Sequence, residues 1–376
     1  MKIWVIGRNY PLVSNKMQGS FELEQAKMLS KYGNSVTYFA CVLHPSKYIK
    51  KRGFQCWKED NLYVCTYSAF FIPRLFPFYF VKIRNAFYEK LFRQAVEQFG
   101  MPDVIHVHYP AMLMLAPVLK AYSENDVRIV ATEHWTKVQS EKLNFIEKRE
   151  IVRSLKVLDA CICVGMPLQT AMEKLNQQPK EGFFRIPNIV GAQFNPTNVS
   201  HIKFQFVAAG RLVALKQFDK LIEAFTRKFR GKNAILVIIG YGVEYKNLKK
   251  QIASLCMESQ IILKGALDRA ETAECMAHSD CLCCPSRLET FGVPVIEGWA
   301  CGLPVIASDN IPAIMEYANE KLAVPVPHDD TKALENAMEQ VFLNYEKYDK
   351  QYIADFVKKR FSEEAVYQKL MELYHK

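Results

Sequence analysis

Two glutamates eight positions apart, Glu289 and Glu297, flank a Gly-Val-Pro step in the stretch "SRLETFGVPVIEGWACGLPV". Pro294 favours a helix start, because its fixed φ fits the first turn and its missing N–H is not needed there. Gly302 favours the end of that helix. We therefore expect a loop that carries Glu289, followed by a short helix that carries Glu297 one turn inside.

A helix start between two carboxylates suits a ligand that is both phosphorylated and hydroxylated. The N–H groups of residues 290–293 would attract a phosphate, and the carboxylates would accept hydrogen bonds from hydroxyl groups. A nucleotide sugar has both features. The alternative at this point is that both glutamates are solvated surface acids.

Two cations precede an amphipathic helical pattern in "AAGRLVALKQFDKLIEAF", where Arg211 and Lys216 follow a short apolar run. Such a pair could hold a diphosphate, although a basic pair on a loop is often only a solvated surface feature. In "IIGYGVEY", Gly240 opens a Gly-x-Gly step, but Tyr245 stands where a dinucleotide fingerprint has its third glycine. Backbone near Leu267 in "LKGAL" could read a base edge.

The elements that must position these residues alternate between strands and helices. Apolar runs such as "KIWVIG", "DVIHVHYP" and "LDACICVG" in the first half are separated by helical stretches, and the alternation restarts at "FQFVAAGRL". This pattern predicts two Rossmann-like halves that meet near residues 187–200, with a ligand crevice between them. We expect domains over 1–188 and 189–345, and a helical tail over 346–376 that packs back toward the first domain.

The composition is that of an ordinary globular protein, with 376 residues, half of them hydrophobic. No apolar run approaches the length of a membrane span, and the start "MKIWVIGRNYP" is typical of a first strand and not of a signal peptide. The eleven cysteines are expected to be reduced thiols. Cys281 and Cys284 in "CLCC" have the spacing of a metal or redox pair, but a buried strand predicts core packing for them.

The formal net charge of +10 comes mainly from the N-terminal half. There, residues 70–84, "FFIPRLFPFYFVKIR", mix aromatic side chains with Arg74, Lys82 and Arg84. This segment is either a surface that rests on an anionic membrane leaflet or an aromatic loop packed into its own domain.

The order of these motifs resembles the retaining glycosyltransferases of family 4. The resemblance is carried by "GRL" with Lys216 five residues on, by "IIGYG" and by "PSRLETFGVPVIEGWACGLPVIAS". It extends through "DVIHVHYP", "TEHW" and "PNIVGAQFNP", and is most specific over residues 207–310. It implies the GT-B fold, an α/β architecture of two facing Rossmann-like domains with an interdomain crevice.

The resemblance also implies roles for residues of the second half. Glu289 would contact the donor sugar and Glu297 the ribose, while Arg211 and Lys216 would hold the diphosphate. The expected donor-binding set is Gly19, Arg211, Lys216, Gly240, Leu267, Glu289, Thr290, Phe291, Gly292, Val293 and Glu297. Glu289, Arg211 and Lys216 are also expected to act in catalysis.

In the first half, the resemblance implies that Gly19 approaches the donor phosphate and the acceptor, and that His134 in "TEHW" is catalytic. A plain glycine at a helix start and a satisfied polar histidine at a strand end are the structural alternatives. His106 is expected in the core, and His108 is a candidate for acceptor binding.

The sequence departs from the family pattern at three positions. Tyr241 stands between the glycines of "IIGYG", where an acidic or polar residue is common. Gly298 and Trp299 follow the second glutamate, where small alanine-like residues are common. A glycine inside a helix costs about 1 kcal/mol relative to alanine.

The expected activity is that of a retaining, metal-independent hexosyltransferase, which moves a sugar from a nucleoside-diphosphate sugar to a hydroxyl of a glycan or lipid-linked acceptor. Bacterial polysaccharide synthesis, a cytoplasmic location and peripheral membrane contact through residues 70–84 would fit. We expect no cofactor and no metal, since no Asp-x-Asp stretch is present. The alternatives are a nucleotide-sugar epimerase of the same fold and an NAD-dependent oxidoreductase, against which the missing third glycine counts. No nucleic-acid partner is expected, because no recognisable nucleic-acid module accompanies the basic half.

Overall fold

A computed structural model describes residues 1–10, 20–44, 53–70, 77–108, 112–197 and 202–376. The chain divides into two compact units. The first comprises Met1–Pro187 together with Tyr367–Lys376, and the second comprises Asn188–Val366.

The first unit has an eight-stranded sheet in the order β3-β4-β2-β1-β5-β6-β7-β8. Its strands are β1 Lys2–Ile6, β2 Ser35–His44, β3 Gly53–Glu59, β4 Leu62–Phe70, β5 Val104–His108, β6 Arg128–Glu133, β7 Ala160–Cys163 and β8 Phe183–Arg185. All neighbouring strands are parallel except β3 and β4. Every residue of β5 and β7 is buried, as expected for central strands covered on both faces.

Six helices of the first unit, in the described ranges, connect these strands. They are α1 Ser20–Lys31, α2 Pro77–Phe99, α3 Met112–Ser123, α4 Thr136–Gln139, α5 Phe145–Leu155 and α6 Met166–Glu173. None of the helices in the described part of the chain combines the length and the apolar character that a membrane span needs.

The β3–β4 hairpin was not predicted, and it corrects one expectation about the cysteines. The antiparallel register places Cys56 directly opposite Cys65, with their Cα atoms 4.2 Å apart, and the two are joined as a disulfide. The prediction that all eleven cysteines are reduced is therefore wrong for this pair. The strand register brings the two cysteines together, and their spacing in the sequence does not show this pairing.

The second unit has a six-stranded sheet, parallel throughout, in the order β11-β10-β9-β12-β13-β14. Its strands are β9 Phe204–Ala209, β10 Ala234–Ile239, β11 Ile261–Gly265, β12 Cys281–Cys284, β13 Val305–Ser308 and β14 Ala323–Val326. Its helices are α7 Phe218–Phe229, α8 Tyr245–Ser254, α9 Arg269–Ala277, α10 Val293–Ala300, α11 Pro312–Tyr317, α12 Thr331–Leu343 and α13 Lys350–Phe361.

The core of the second unit lies between α7 and the sheet. Phe206 of β9 packs against Phe225 and Phe229 of α7, with ring centroids 6.1 and 5.1 Å away. Cys281 and Cys283 belong to the same buried cluster, which confirms core packing for Cys281. Cys284 is also buried, but its thiol lies beside Glu289.

The last helix, α14 Glu363–Tyr374, runs across the boundary between the units in sequence. The expected tail began at residue 346, whereas residues up to Val366 belong to the second unit and Tyr367–Lys376 to the first. Within the first unit, Tyr367 stacks on Tyr32 with ring centroids 4.3 Å apart. The tail therefore completes the packing of the unit that begins the chain.

Candidate active site

The structure pairs the first glutamate of the motif with a lysine. Lys216 ends a 3₁₀ turn, Ala214–Lys216, that follows β9, and Glu289 lies in the loop after β12. Because β9 and β12 are parallel neighbours, their carboxyl ends meet at one edge of the sheet. The Lys216 ammonium forms an ion pair with the Glu289 carboxylate, and the two side chains are only 15% and 13% exposed.

Lys216 keeps its positive charge although its side chain is nearly buried. Burial alone would lower the pKa of Lys216, but the Glu289 carboxylate raises that pKa above its usual value. Beneath the pair, the Cys284 thiol lies 3.9 Å from Oε1 of Glu289. Burial and the nearby Glu289 charge raise the pKa of Cys284 to about 12, so the thiol stays neutral.

Arg211 adds a second positive charge to this edge. It follows β9 directly, its side chain is exposed, and its charge acts on Lys216. The loop after β9 thus presents one accessible and one nearly buried cation, which suits the oxygens of a diphosphate.

The second glutamate has a partner that no sequence motif marks. Glu297 is only 4% exposed on α10, and its carboxylate forms an ion pair with Arg269, the first residue of α9. The Arg269 guanidinium also lies over the ring of Phe194, 4.8 Å from its centroid. A buried carboxylate needs such a partner, so Arg269 holds the charge and the orientation of Glu297.

The start of α10 lies between the two glutamates. Gly292 is the N-cap with φ of 103°, a left-handed conformation, and a Cβ there would come within 2.5 Å of Ile311. Pro294 is the second helical residue, one position later than expected. Thr290 and Val293 are half-buried, but Phe291 is 1% exposed, so Phe291 offers a ligand only its backbone.

The loop that carries Glu289 is held by contacts that the sequence did not predict. Arg287 makes two-pronged hydrogen bonds of 2.6 to 3.0 Å to Asp329, and its backbone N–H donates to Leu215 O at 2.9 Å. Asn310 donates its side-chain N–H to Arg287 O at 2.9 Å. These contacts fix the loop from both sides and thereby position Glu289.

Two further predicted donor residues lie at the same edge of the second sheet. Gly240 follows β10, and a Cβ there would lie 1.9 Å from Gly210 O, so only glycine permits this approach of the two backbones. Leu267 is half-buried in the loop between β11 and α9. Tyr241, the residue between the glycines, is 67% exposed and packs near Tyr245.

The departures after Glu297 have a packing reason. A Cβ on Gly298 would lie 2.9 Å from Cδ2 and 3.0 Å from Cβ of Leu282, so glycine lets α10 approach β12 closely. Trp299 is fully buried, and its indole N–H donates to Leu322 O at 2.9 Å.

In the first unit, polar residues meet at the carboxyl ends of three neighbouring strands. Arg8 follows β1, His108 ends β5 and His134 follows β6, and these strands are adjacent in the sheet. His134 is partly exposed, and its Nε2 lies 3.2 Å from Nδ1 of His108. His108 is 1% exposed, so the expected acceptor-binding residue lies behind His134.

A buried carboxyl group supports the turn that carries His134. Glu133 accepts hydrogen bonds from the backbone N–H groups of His134 and Trp135, at 2.9 and 2.7 Å. Burial raises the pKa of Glu133 to about 7. Burial and the charge of Arg8 lower the pKa of His134 to about 3. Sequence reasoning used "TEHW" only for its histidine and missed Glu133.

Two predictions fall wholly or partly outside the described residues. Gly19 is one of them. Of the segment 70–84, residues 71–76 are not described, and α2 begins at Pro77. Lys82 is exposed, but Arg84 is 6% exposed and lies over the ring of Tyr88, so it is not part of a cationic surface.

Comparison with known sequences gives two consecutive family matches. The profile described as "Glycosyltransferase Family 4" matches residues 23–193, and the profile described as "Glycosyl transferases group 1" matches residues 192–355. The chain belongs to these glycosyltransferases. This glycosyltransferase is 22% identical over 234 residues to N-acetyl-alpha-D-glucosaminyl L-malate synthase of Bacillus anthracis. The match covers 58% of the chain and spans 60% of the length of that relative.

Solved structures show that the glycosyltransferase has the GT-B fold. Sucrose-phosphate synthase from Thermosynechococcus elongatus superposes with a TM-score of 0.79 at 19% identity, over 99% of this chain and 98% of the other. The Anabaena protein HepE in complex with UDP superposes with a TM-score of 0.74 at 17% identity, over 100% of both chains. The predicted family and fold are confirmed.

Proposed function

We propose that the protein is a retaining glycosyltransferase that moves a sugar from a nucleoside-diphosphate sugar to a hydroxyl group of a glycan or lipid-linked acceptor. The observation that carries this proposal is the pairing of both motif glutamates with cations, Lys216 with Glu289 and Arg269 with Glu297, on either side of the α10 start.

The proposed donor fits these charges. Arg211, Lys216 and the N–H groups at the start of α10 would bind the diphosphate, where positive partial charge is already oriented. Glu289 would accept hydrogen bonds from the sugar hydroxyls and Glu297 from the ribose. The HepE structure was solved with UDP, which supports a nucleotide ligand for this fold.

The proposed step needs no covalent nucleophile from the protein. The bond between the anomeric carbon and the phosphate oxygen breaks while the acceptor oxygen bonds to that carbon from the same face. The leaving phosphate takes the acceptor proton. Arg211, Lys216 and the helix start would stabilise the negative charge that develops on the diphosphate, so we propose that no divalent cation is required.

The acceptor and its location are proposals as well. Relatives of this chain include a poly(glycerol-phosphate) alpha-glucosyltransferase and an O-antigen biosynthesis glycosyltransferase, which supports a role in cell-surface polysaccharide synthesis. We propose a cytoplasmic enzyme that contacts the inner membrane face near residues 70–84. Co-sedimentation with anionic vesicles but not with neutral ones is expected, and binding to neither would contradict the contact.

The donor is tested by thermal stabilisation with a panel of nucleoside diphosphates, nucleotide sugars and NAD. A ligand at 100 times its Kd raises the free energy of unfolding by about 2.7 kcal/mol. We expect a shift with one nucleotide series, abolished by Arg211→Ala and by Glu297→Ala. Lys249→Ala, an exposed position on α8, is the matched control and should keep the shift.

The rival functions predict different results. A shift with NAD alone would indicate an oxidoreductase, and conversion of the donor to an epimer without acceptor would indicate an epimerase. Once the donor is known, turnover should be unchanged in EDTA. A loss that added Mg²⁺ or Mn²⁺ restores would contradict the metal-independent mechanism.

A further inference from the structure

Three histidines of the first unit form a row across two neighbouring strands. His106 and His108 of β5 stack with ring centroids 4.5 Å apart, and His108 stacks on His134 with centroids 5.4 Å apart. His106 and His108 are 0% and 1% exposed, and only His134 reaches the surface. We call these three residues the histidine row.

All three imidazoles are neutral at neutral pH. Burial lowers the pKa of His106 and of His134 to about 3, and the pKa of His108 falls well below its usual value for the same reason. A neutral imidazole carries one N–H group and one nitrogen lone pair. Each ring can therefore donate only one hydrogen bond.

The position of the His108 proton follows from an unpartnered atom. Nδ1 of His108 lies 3.2 Å from Nε2 of His134, whereas Nε2 of His108 is buried and has no hydrogen-bond partner among the residues that the structure describes. A proton on Nε2 would be a buried N–H group without an acceptor, and such groups are rare in folded proteins. With the proton on Nδ1, Nε2 carries only a lone pair, and the positive charge of nearby Arg8 favours this arrangement.

The same choice decides the state of His134. If Nδ1–H of His108 donates, then Nε2 of His134 must accept, and the single proton of His134 sits on Nδ1. We propose that His108 fixes His134 as the Nδ1–H tautomer, so that His134 offers the substrate a hydrogen-bond donor and not a proton acceptor. His108 is thus a positioning residue that acts through His134.

The inner end of the row is fixed by two hydroxyl groups. Nδ1 of His106 lies 2.5 Å from the Tyr374 hydroxyl, and its Nε2 lies 2.6 Å from Oγ1 of Thr132. Both nitrogens of His106 are occupied, so this ring cannot turn without losing a hydrogen bond. Its stacking against His108 holds the plane of the second ring.

The role of His134 toward a substrate rests on the proposed function, whereas the assignment of its tautomer does not. A neutral Nδ1–H group suits an oxygen lone pair, such as that of a sugar hydroxyl or a phosphate. It cannot remove the proton of an acceptor hydroxyl, which agrees with proton transfer to the leaving phosphate.

The test is a long-range ¹H–¹⁵N correlation spectrum of the full chain labelled with ¹⁵N-histidine, recorded at pH 8 without substrate. The signals of His134 are identified by their loss in His134→Gln. His278 is an internal standard, because its Nδ1 lies 2.7 Å from Glu274 O, a carbonyl that can only accept. We expect His134 to match the Nδ1–H pattern of His278. An Nε2–H pattern for His134 would overturn the proposal.

His108→Phe then removes the nitrogen and keeps an aromatic ring in the stack. We expect His134 to shift toward the Nε2–H form while His278 is unchanged. If His134 keeps its Nδ1–H pattern, His108 does not set the tautomer and that part of the proposal is wrong. Should this variant not fold, His108→Leu removes the same nitrogen with a smaller side chain. Because no substrate is used, the result is independent of whether nucleotide sugars bind.

Discussion

The carboxyl edges of the two sheets differ in the charge of their polar residues. In the second unit, Lys216 with Glu289 and Arg269 with Glu297 are ion pairs with little solvent exposure. In the first unit, the histidine row consists of neutral rings, and burial raises the pKa of the Glu133 carboxyl to about 7.

This difference follows from what each side chain finds as a partner. A buried charge persists where an opposite charge lies beside it, and it is lost where only burial acts. The second edge is therefore suited to a charged ligand such as a diphosphate. The neutral rings at the first edge are suited to groups that are recognised by hydrogen bonds.

The largest expected effect comes from removing a charge at the second edge. Lys216→Met deletes the partner of Glu289 and a proposed ligand of the diphosphate. Loss of one such electrostatic contact lowers kcat by about 100- to 1000-fold. Steady-state kinetics with the donor found in the panel measures this, with Lys249→Met on α8 as the matched control. A kcat within a few-fold of the wild type would remove Lys216 from the catalytic set.

At the first edge, the expected effect is on stability and its pH dependence. The folded-state pKa of Glu133 is raised from 4.5 to about 7. Relative to a residue that does not titrate, protonated Glu133 therefore stabilises the folded state fully below pH 4.5, and this stabilisation is lost as pH rises to about 7. The loss is on the order of 3 kcal/mol, from the shift in pKa. Glu133→Gln keeps an oxygen that can accept the same two hydrogen bonds.

Denaturant unfolding of wild type and Glu133→Gln between pH 4.5 and 8 checks this. We expect the wild type to lose stability relative to the variant as pH rises. A stability difference that does not change with pH would show that Glu133 is ionised throughout, and the contrast between the two edges would then be weaker.

The smallest expected effect concerns the packing that holds Glu297 in place. Gly298→Ala improves helix propensity by about 1 kcal/mol, but the new methyl group meets Leu282, and overpacking costs about 1 to 3 kcal/mol. We expect a net loss of about 1 kcal/mol in the free energy of unfolding. Combining it with Leu282→Val, which removes Cδ2, should give less than the sum of the two single effects, and strict additivity would show that the contact with Cδ2 of Leu282 does not cause the loss.

Much of the architecture could be predicted because local patterns encode it. The apolar runs at β1, β9 and β12 are short and bounded by polar or glycine-containing loops, so both the strands and the edge at which they end follow from the sequence. The structure adds that Lys216 and Glu289 form an ion pair at that edge. The roles given to these residues in catalysis stay predictions.

The rest could not be predicted because it depends on contacts between distant elements. Arg269 reaches Glu297 only through the packing of α9 beside α10, and Arg287 reaches Asp329 across 42 positions of sequence. The Cys56–Cys65 pair depends on strand register. The neutrality of the histidine row depends on burial, which neither "HVH" nor "TEHW" reveals.

The contact between Tyr374 and His106 also sets an order of events during synthesis. Residues 367–376 belong to the first unit, yet the ribosome makes them after the whole second unit. The first unit to emerge is therefore the last to be completed, and until then His106 lacks one of its two hydrogen-bond partners. A first unit that folds before residues 367–376 are made therefore has one side of its histidine row open.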